Sequence, residues 1–283
     1  MDSFILTLSC PDRLGIVHAV TGFLADHGCN IVDSQQFGDR DTGQFFMRVL
    51  VEGTDAAYGL EALRRGFAPT AEAFAMDWEI NDARAKPRVI IMVSRQGHCL
   101  NDLLYRWRTG ALPADIVAIV SNHLDFEDLA ASYGIPYHHI PVTPATKAEA
   151  EHKLLALIDE HDVELVVLAR YMQVLSDTVC ERMPGRIINI HHSFLPSFKG
   201  ARPYLQAHNR GVKLIGATAH YVTANLDEGP IIEQDVARVE HSDGVEQLAA
   251  IGADLECLAL ARAVRWHLEH RVLLDGHKTI VFR

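Results

Sequence analysis

Residues 186–204 read RIINIHHSFLPSFKGARPY, and this stretch decides how the second part of the chain is read. Ile187, Ile188 and Ile190 mark a buried strand. Asn189 and His191 stand two apart, so on a strand both side chains point to one face. Either each is a core polar group with its own partner, or the pair reaches a site at the strand's end. The segments around it carry the same strand type. Arg88–Ser94, Ile116–Ser121 and Glu164–Ala169 are apolar runs, and Tyr137–Ile140 is a shorter one. Helical periodicity over 100–107, 126–133 and 147–161 separates them. This alternation predicts an α/β unit, a doubly wound and mostly parallel sheet with helices on both faces. Leu214–Val222 and Ile231–Val239, joined through NLDEGP, predict an antiparallel pair. A long helix over 244–269 and a hairpin over 272–282 follow.

The first 82 residues have a different order. Phe4–Leu8 predicts a strand. A helix opens at Asp12–Ile16, runs to about His27 and stops at Gly28. Asn30–Phe37 and Gln44–Val51 predict two strands around GDRDTG, Leu60–Phe74 a helix that contains Pro69, and Asp77–Ile80 a last strand. The order βαββαβ is the split βαβ arrangement. The polar stretch NDARAKPR at 81–88 is the hinge. It sets the expected domains at 1–82 and 89–283, with a linker over 83–88.

Composition bounds the function. The chain has 283 residues, 48% of them apolar, enough for a proper core. Its net charge of −11 argues against general binding to nucleic acid or to an anionic membrane surface. No apolar run has membrane-spanning length, and the N-terminus MDSFILTLSCPDRLG lacks a basic n-region. The five cysteines are odd in number and scattered, which fits free thiols in a reducing cytoplasm. There is no HExxH or CxxC, so no metal is expected. His191 and His192, as strand neighbours, are expected to point apart.

Open parallel sheets bind ligands beyond the carboxyl ends of their strands. Asn189 and His191 fall there, as do Arg170–Leu175 and the loop Ser94–Leu100. Thr218 and His220 share one strand face, and Asp227 sits in the turn before Gly229-Pro230. A turn aspartate often only bonds its own backbone. Taken together, the carboxylate, imidazole and amide form an acid–base set that can hydrolyse or transfer an acyl group.

Two resemblances sharpen this. DRLGIV and GCNIVD resemble an ACT regulatory domain. This implies a ferredoxin-like fold, pairing into a homo-oligomer, and a small amino-acid effector held at a domain interface near Asp12, Gly15 and Asn30. NIHHSFLPSFKG, GATAH and LDEGP resemble the folate-dependent formyltransferases, whose domain is Rossmann-like. Carried over residue by residue, Asn189, His191 and Asp227 become the catalytic trio, with His220 and Thr218 in support. Met172, Gln173, Val174 and Leu175 resemble the loop that holds the pterin ring, and Gly97, His98 and Cys99 lie in the loop facing the substrate. That loop lacks the paired glycines of the ribonucleotide transformylases, and no additional C-terminal domain for tRNA follows. The whole chain resembles the formyltetrahydrofolate deformylases, for which the acceptor is water. The resemblance implies 10-formyltetrahydrofolate as substrate, no further cofactor, formate as product for purine synthesis, and methionine and glycine as effectors. A transferase with another amine acceptor and a folate-binding regulator with little catalysis are the alternatives.

Overall fold

The computed structural model describes residues 2–53, 59–195 and 203–283. The chain divides into two compact units. Met1–Ala85, Glu269–Asp275 and Thr279–Arg283 form the first, and Lys86–Leu268 with Gly276–Lys278 the second.

In the first unit the elements are β1 (Ser3–Pro11), α1 (Ile16–Asp26), β2 (Cys29–Asp39), β3 (Gln44–Gly53), α2 (Leu60–Phe74) and β4 (Asp77–Asp82). The sheet is antiparallel in the order β2-β3-β1-β4. Alternation along β1 sends Phe4, Leu6, Leu8 and Cys10 into a core shared with Ile16, Val20 and Phe23 of α1 and Leu63 and Phe67 of α2. Burying each such side chain is worth about 1.5–3 kcal/mol. The register sets the residues named for effector binding at opposite ends of this sheet. Pro11 of β1 pairs with Gln44, which places Asp12 and Gly15 at one end of the sheet, whereas Asn30 pairs with Glu52 at the other. Nine strand residues lie between those ends, so one chain does not bring Asn30 beside Asp12 and Gly15.

In the second unit the elements are β5 (Arg88–Val93), α3 (His98–Arg108), β6 (Asp115–Ser121), α4 (Glu127–Tyr133), β7 (Tyr137–His139), α5 (Lys147–Glu160), β8 (Leu165–Leu168), α6 (Asp177–Arg182), β9 (Ile187–His191), α7 (Pro203–Arg210), β10 (Leu214–Tyr221), β11 (Ile231–Arg238) and α8 (Val245–Leu268). The sheet order is β11-β10-β9-β8-β5-β6-β7. The strands β7, β6, β5, β8 and β9 are parallel, and β10 runs antiparallel to both β9 and β11. The chain winds outward from β5 through β6 to β7, then returns to β8 on β5's other side. That reversal opens a crevice at the carboxyl ends of β5 and β8. Beneath it, Ile90, Met92, Val166 and Leu168 pack with Leu154 and Ile158 of α5.

The short helices α6 and α7 had no sequence counterpart. The last hairpin, β12 (Val272–Asp275) and β13 (Lys278–Val281), was expected with the second domain. Most of it belongs to the first unit. The reason is polar. Arg48 of β3, 2% exposed, donates to the Glu269 carbonyl through Nε and Nη2 at 3.2 and 3.0 Å, and Gln35 donates to the carbonyl of Arg283. A buried guanidinium without such acceptors would be strongly destabilising. No helix among the described residues is long and apolar enough to cross a membrane.

Candidate active site

The carboxyl ends of β5, β8 and β9 open into a cavity of about 780 Å³ in the second unit. Asn189, His191, His220 and Asp227 all line it. Antiparallel pairing sets His220 opposite Asn189 and Thr218 opposite His191. A β-bulge in the β10–β11 ladder falls between Ala219 and His220. Such bulges re-aim side chains next to sites.

The turn between β10 and β11 supplies the carboxylate. Asp227 takes a left-handed backbone with φ of 56°, a costly conformation for a residue other than glycine. Two residues on, a Cβ at Gly229 would lie 1.8 Å from the Tyr221 carbonyl oxygen, so only glycine permits this approach. The Tyr221 amide donates to the Pro230 carbonyl at 2.9 Å and closes the turn over β10. The result is that Asp227 Oδ1 stands 3.3 Å from His191 Nδ1 and 3.9 Å from His220 Nε2. His191 Nε2 is buried and, among the described residues, has no hydrogen-bond partner.

His220 fixes the amide. Its Nδ1 donates to the Tyr221 carbonyl at 2.8 Å, which leaves Nε2 as acceptor for Asn189 Nδ2 at 3.2 Å. Burial holds the His220 pKa below its ordinary value, and this keeps the ring neutral for that task. Thr218 acts one step away from the cavity. Its Oγ1 donates to the Ser193 carbonyl at 3.0 Å and accepts from the Leu195 amide at 3.1 Å, tying down the loop after β9. The rest of that motif, Pro196–Gly200, lies outside the described residues.

The loop after β8 forms the apolar wall. Met172 and Val174 are half-exposed at 57% and 55%, facing the cavity with Leu175 and Leu226. Gln173 lines it too. Ser94 at the end of β5 pins this loop. Its Oγ accepts from the Met172 amide at 3.0 Å, and its own amide donates to the Arg170 carbonyl at 3.2 Å. Arg170 carries the left-handed bend, φ 64°.

The loop before α3 departs from expectation. His98 and Cys99 begin the helix, and of the three residues singled out there only His98 lines the cavity. Gly97 is covered by the Phe126 ring and Cys99 is fully buried. The Cys99 thiol is pushed up by its hydrogen bond with Cys257 and by burial. His192 also departs: its ring stacks on His191, with centroids 5.0 Å and planes 14° apart. The strand ends at His191, so its alternation does not extend to the bend at His192.

A buried polar cluster was missed. Glu256 of α8, 1% exposed, accepts from His98 Nε2 and from the Tyr204 hydroxyl, each at 2.7 Å, and lies 3.4 Å from Arg170 Nε. Burial raises its pKa, but His98, Arg170 and Tyr204 outweigh burial and hold it below the usual carboxylate range. The signal was a glutamate inside the apolar run LECLALA. His98, Cys99 and Glu256 bring their ligand atoms within 4.8 Å of one another. A cation there would face the Arg170 guanidinium and a thiol held protonated, so the donor set suits an ion network rather than a metal.

The formyl transferase family model matches residues 87–264 and the ACT domain model residues 4–65. The formyltetrahydrofolate deformylase of Corynebacterium sp. (strain P-1) is 54% identical over 99% of this chain and 98% of its own. That of Bacillus subtilis (strain 168) is 49% identical over 98% and 93%. The crystal structure of formyltetrahydrofolate deformylase from Burkholderia mallei superposes with a TM-score of 0.95, at 55% identity and with both chains covered at 100%. Both domain models and full-length relatives at this identity agree with the α/β architecture, and the chain belongs to the formyltetrahydrofolate deformylase family.

Proposed function

We propose that the chain hydrolyses 10-formyltetrahydrofolate to formate and tetrahydrofolate, with Asn189, His191 and Asp227 as the working groups. The observation that carries the assignment of roles is the 3.3 Å pairing of His191 with Asp227, beside Asn189, at the floor of a cavity with one apolar wall. The folate's pterin ring lies against Met172–Leu175, and the formyl group sits among the three polar residues. Asp227 takes a proton from water, directly or through His191, and the water oxygen adds to the formyl carbon. The Asn189 amide donates to the oxyanion that forms, and His191 Nε2 donates when the ring is protonated. Removing such a donor typically costs about 3–4 kcal/mol. A proton then reaches N10 as the C–N bond breaks.

The first unit is the control element. Methionine and glycine are the effectors this reading names, and release of formate to purine synthesis in the cytoplasm is the flux they would balance. Because one chain keeps Asn30 apart from Asp12 and Gly15, an effector pocket using all three needs a second copy, consistent with a homo-oligomer joined through these domains.

The test is formate release from 10-formyltetrahydrofolate with no amine acceptor, beside an Asp227→Asn control. Release that depends on Asp227 supports hydrolysis. Release only after amines are supplied would make the protein a transferase.

A further inference from the structure

We propose that His192 is a further catalytic residue: its imidazole holds the attacking water while Asp227 takes the proton. This rests on the hydrolytic reading above. The polar end of the cavity is formed by Gln96, His98, Arg170, His192, Tyr204 and Glu256. Five of these are committed to one another. Both Glu256 oxygens accept hydrogen bonds, from Tyr204 and from His98, and Gln96 Oε1 accepts from Arg170 Nε at 2.8 Å. His192 differs. Among the described residues neither of its ring nitrogens has a hydrogen-bond partner. Its ring lies parallel to that of His191, whose Nδ1 meets Asp227. A free acceptor nitrogen on a ring stacked against His191, the residue paired with the base, suits a small polar nucleophile.

The surroundings keep that nitrogen an acceptor. Burial, then Arg170 from the loop after β8 and His191 from β9, lower the His192 pKa to about 4, against Glu256 of α8 and Asp227 of the turn, which act upward. At pH 7 roughly one ring in a thousand is protonated, so His192 accepts a hydrogen bond and does not carry the proton. The step balances as follows. The water oxygen bonds to the formyl carbon as one water proton passes to Asp227. The C–N10 bond then breaks as Asp227 returns that proton to N10, and the formic acid released ionises to formate.

The experiment compares His192→Phe, which keeps a stacking ring without an acceptor, with His192→Gln, which restores one. Each is assayed for hydrolysis and for formyl transfer to added hydroxylamine. For His192→Phe the expected fall in hydrolytic kcat is about 100-fold, with KM within about threefold and transfer to hydroxylamine within about threefold of the parent. His192→Gln should recover about tenfold of the loss. Hydrolysis by His192→Phe within about twofold of the parent overturns the assignment, and so does an equal loss of both reactions, which a purely structural role would give. Failure of His192→Gln to exceed His192→Phe, with both folded by circular dichroism, overturns it as well. A parent protein that releases no formate removes the hydrolytic reading itself, and this assignment with it.

Discussion

His191 Nδ1 lies 3.3 Å from Asp227 Oδ1, a strand end facing a turn held in left-handed backbone. Such a pairing serves proton transfer only while Asp227 is a carboxylate. Asp227→Asn should lower kcat by about 10³-fold, with KM for 10-formyltetrahydrofolate nearly unchanged. Steady-state formate release checks this. A variant with ordinary turnover would remove Asp227 from the mechanism.

Asn189→Asp places a negative charge where the oxyanion forms. The expected loss in kcat is about 10²–10³-fold, with the fold intact because Asp matches Asn in shape. Binding of a non-hydrolysable folate analogue should persist, which separates lost chemistry from a lost site.

His220 Nε2 accepts from the Asn189 amide at 3.2 Å. Replacing it with Phe frees the amide to rotate, and kcat should fall by about tenfold, the value of one ordinary hydrogen bond. In the double variant with Asn189→Asp the losses should not add, because both remove one function. Additive losses would show that His220 acts by another route.

Acid should destabilise the fold through the buried imidazoles. The folded-state pKa of His192 is lowered to about 4 by burial and Arg170, whereas an unfolded chain titrates near 6.5. Between those values the unfolded chain binds a proton that the folded chain refuses, so stability falls as pH falls through this window, by roughly 3 kcal/mol in all. His220, also held below its ordinary value by burial, acts in the same direction. Urea unfolding at pH 7 and pH 5 measures the slope, and His192→Gln should flatten it. An unchanged slope would place the acid sensitivity elsewhere.

Gly252 lets Tyr204 lie against α8. A Cβ there would stand 2.0 Å from the Tyr204 hydroxyl oxygen, so Gly252→Ala must displace the ring from Glu256. The expected destabilisation is about 1–3 kcal/mol, read from denaturant midpoints. A wild-type midpoint would mean the ring moves freely.

Much of the architecture was legible because its signals are local. Period-2 alternation set Asn189 and His191 on one face, and continuous apolar runs gave the parallel strands. The site was less so where it depends on non-local approach. Asp227 is legible only through its motif, since a turn aspartate alone has simpler uses. Glu256 comes from a helix over 60 residues beyond the strand it serves, and nothing local names Arg170 or Tyr204 as its partners. His192 was misread because strand alternation ends one residue earlier. Motifs also carry no information about which end of a sheet they occupy, so the separation of Asn30 from Asp12 and Gly15 within one chain emerges only from the register.

The tail held by Arg48 bears on modularity. The polypeptide leaves the first unit near Ala85, builds the second, and comes back at Glu269 to be gripped by a buried guanidinium. The first unit is therefore built from separate segments of the chain. Cutting the chain at the hinge would leave the second piece ending in a hairpin cut off from the strand that anchors it, and the first piece with Arg48 still paired to Asp33 but without the Glu269 carbonyl. An autonomous fragment of either kind would need the last fifteen residues reassigned, and swapping the ACT domain between relatives requires exchanging residues 269–283 with it.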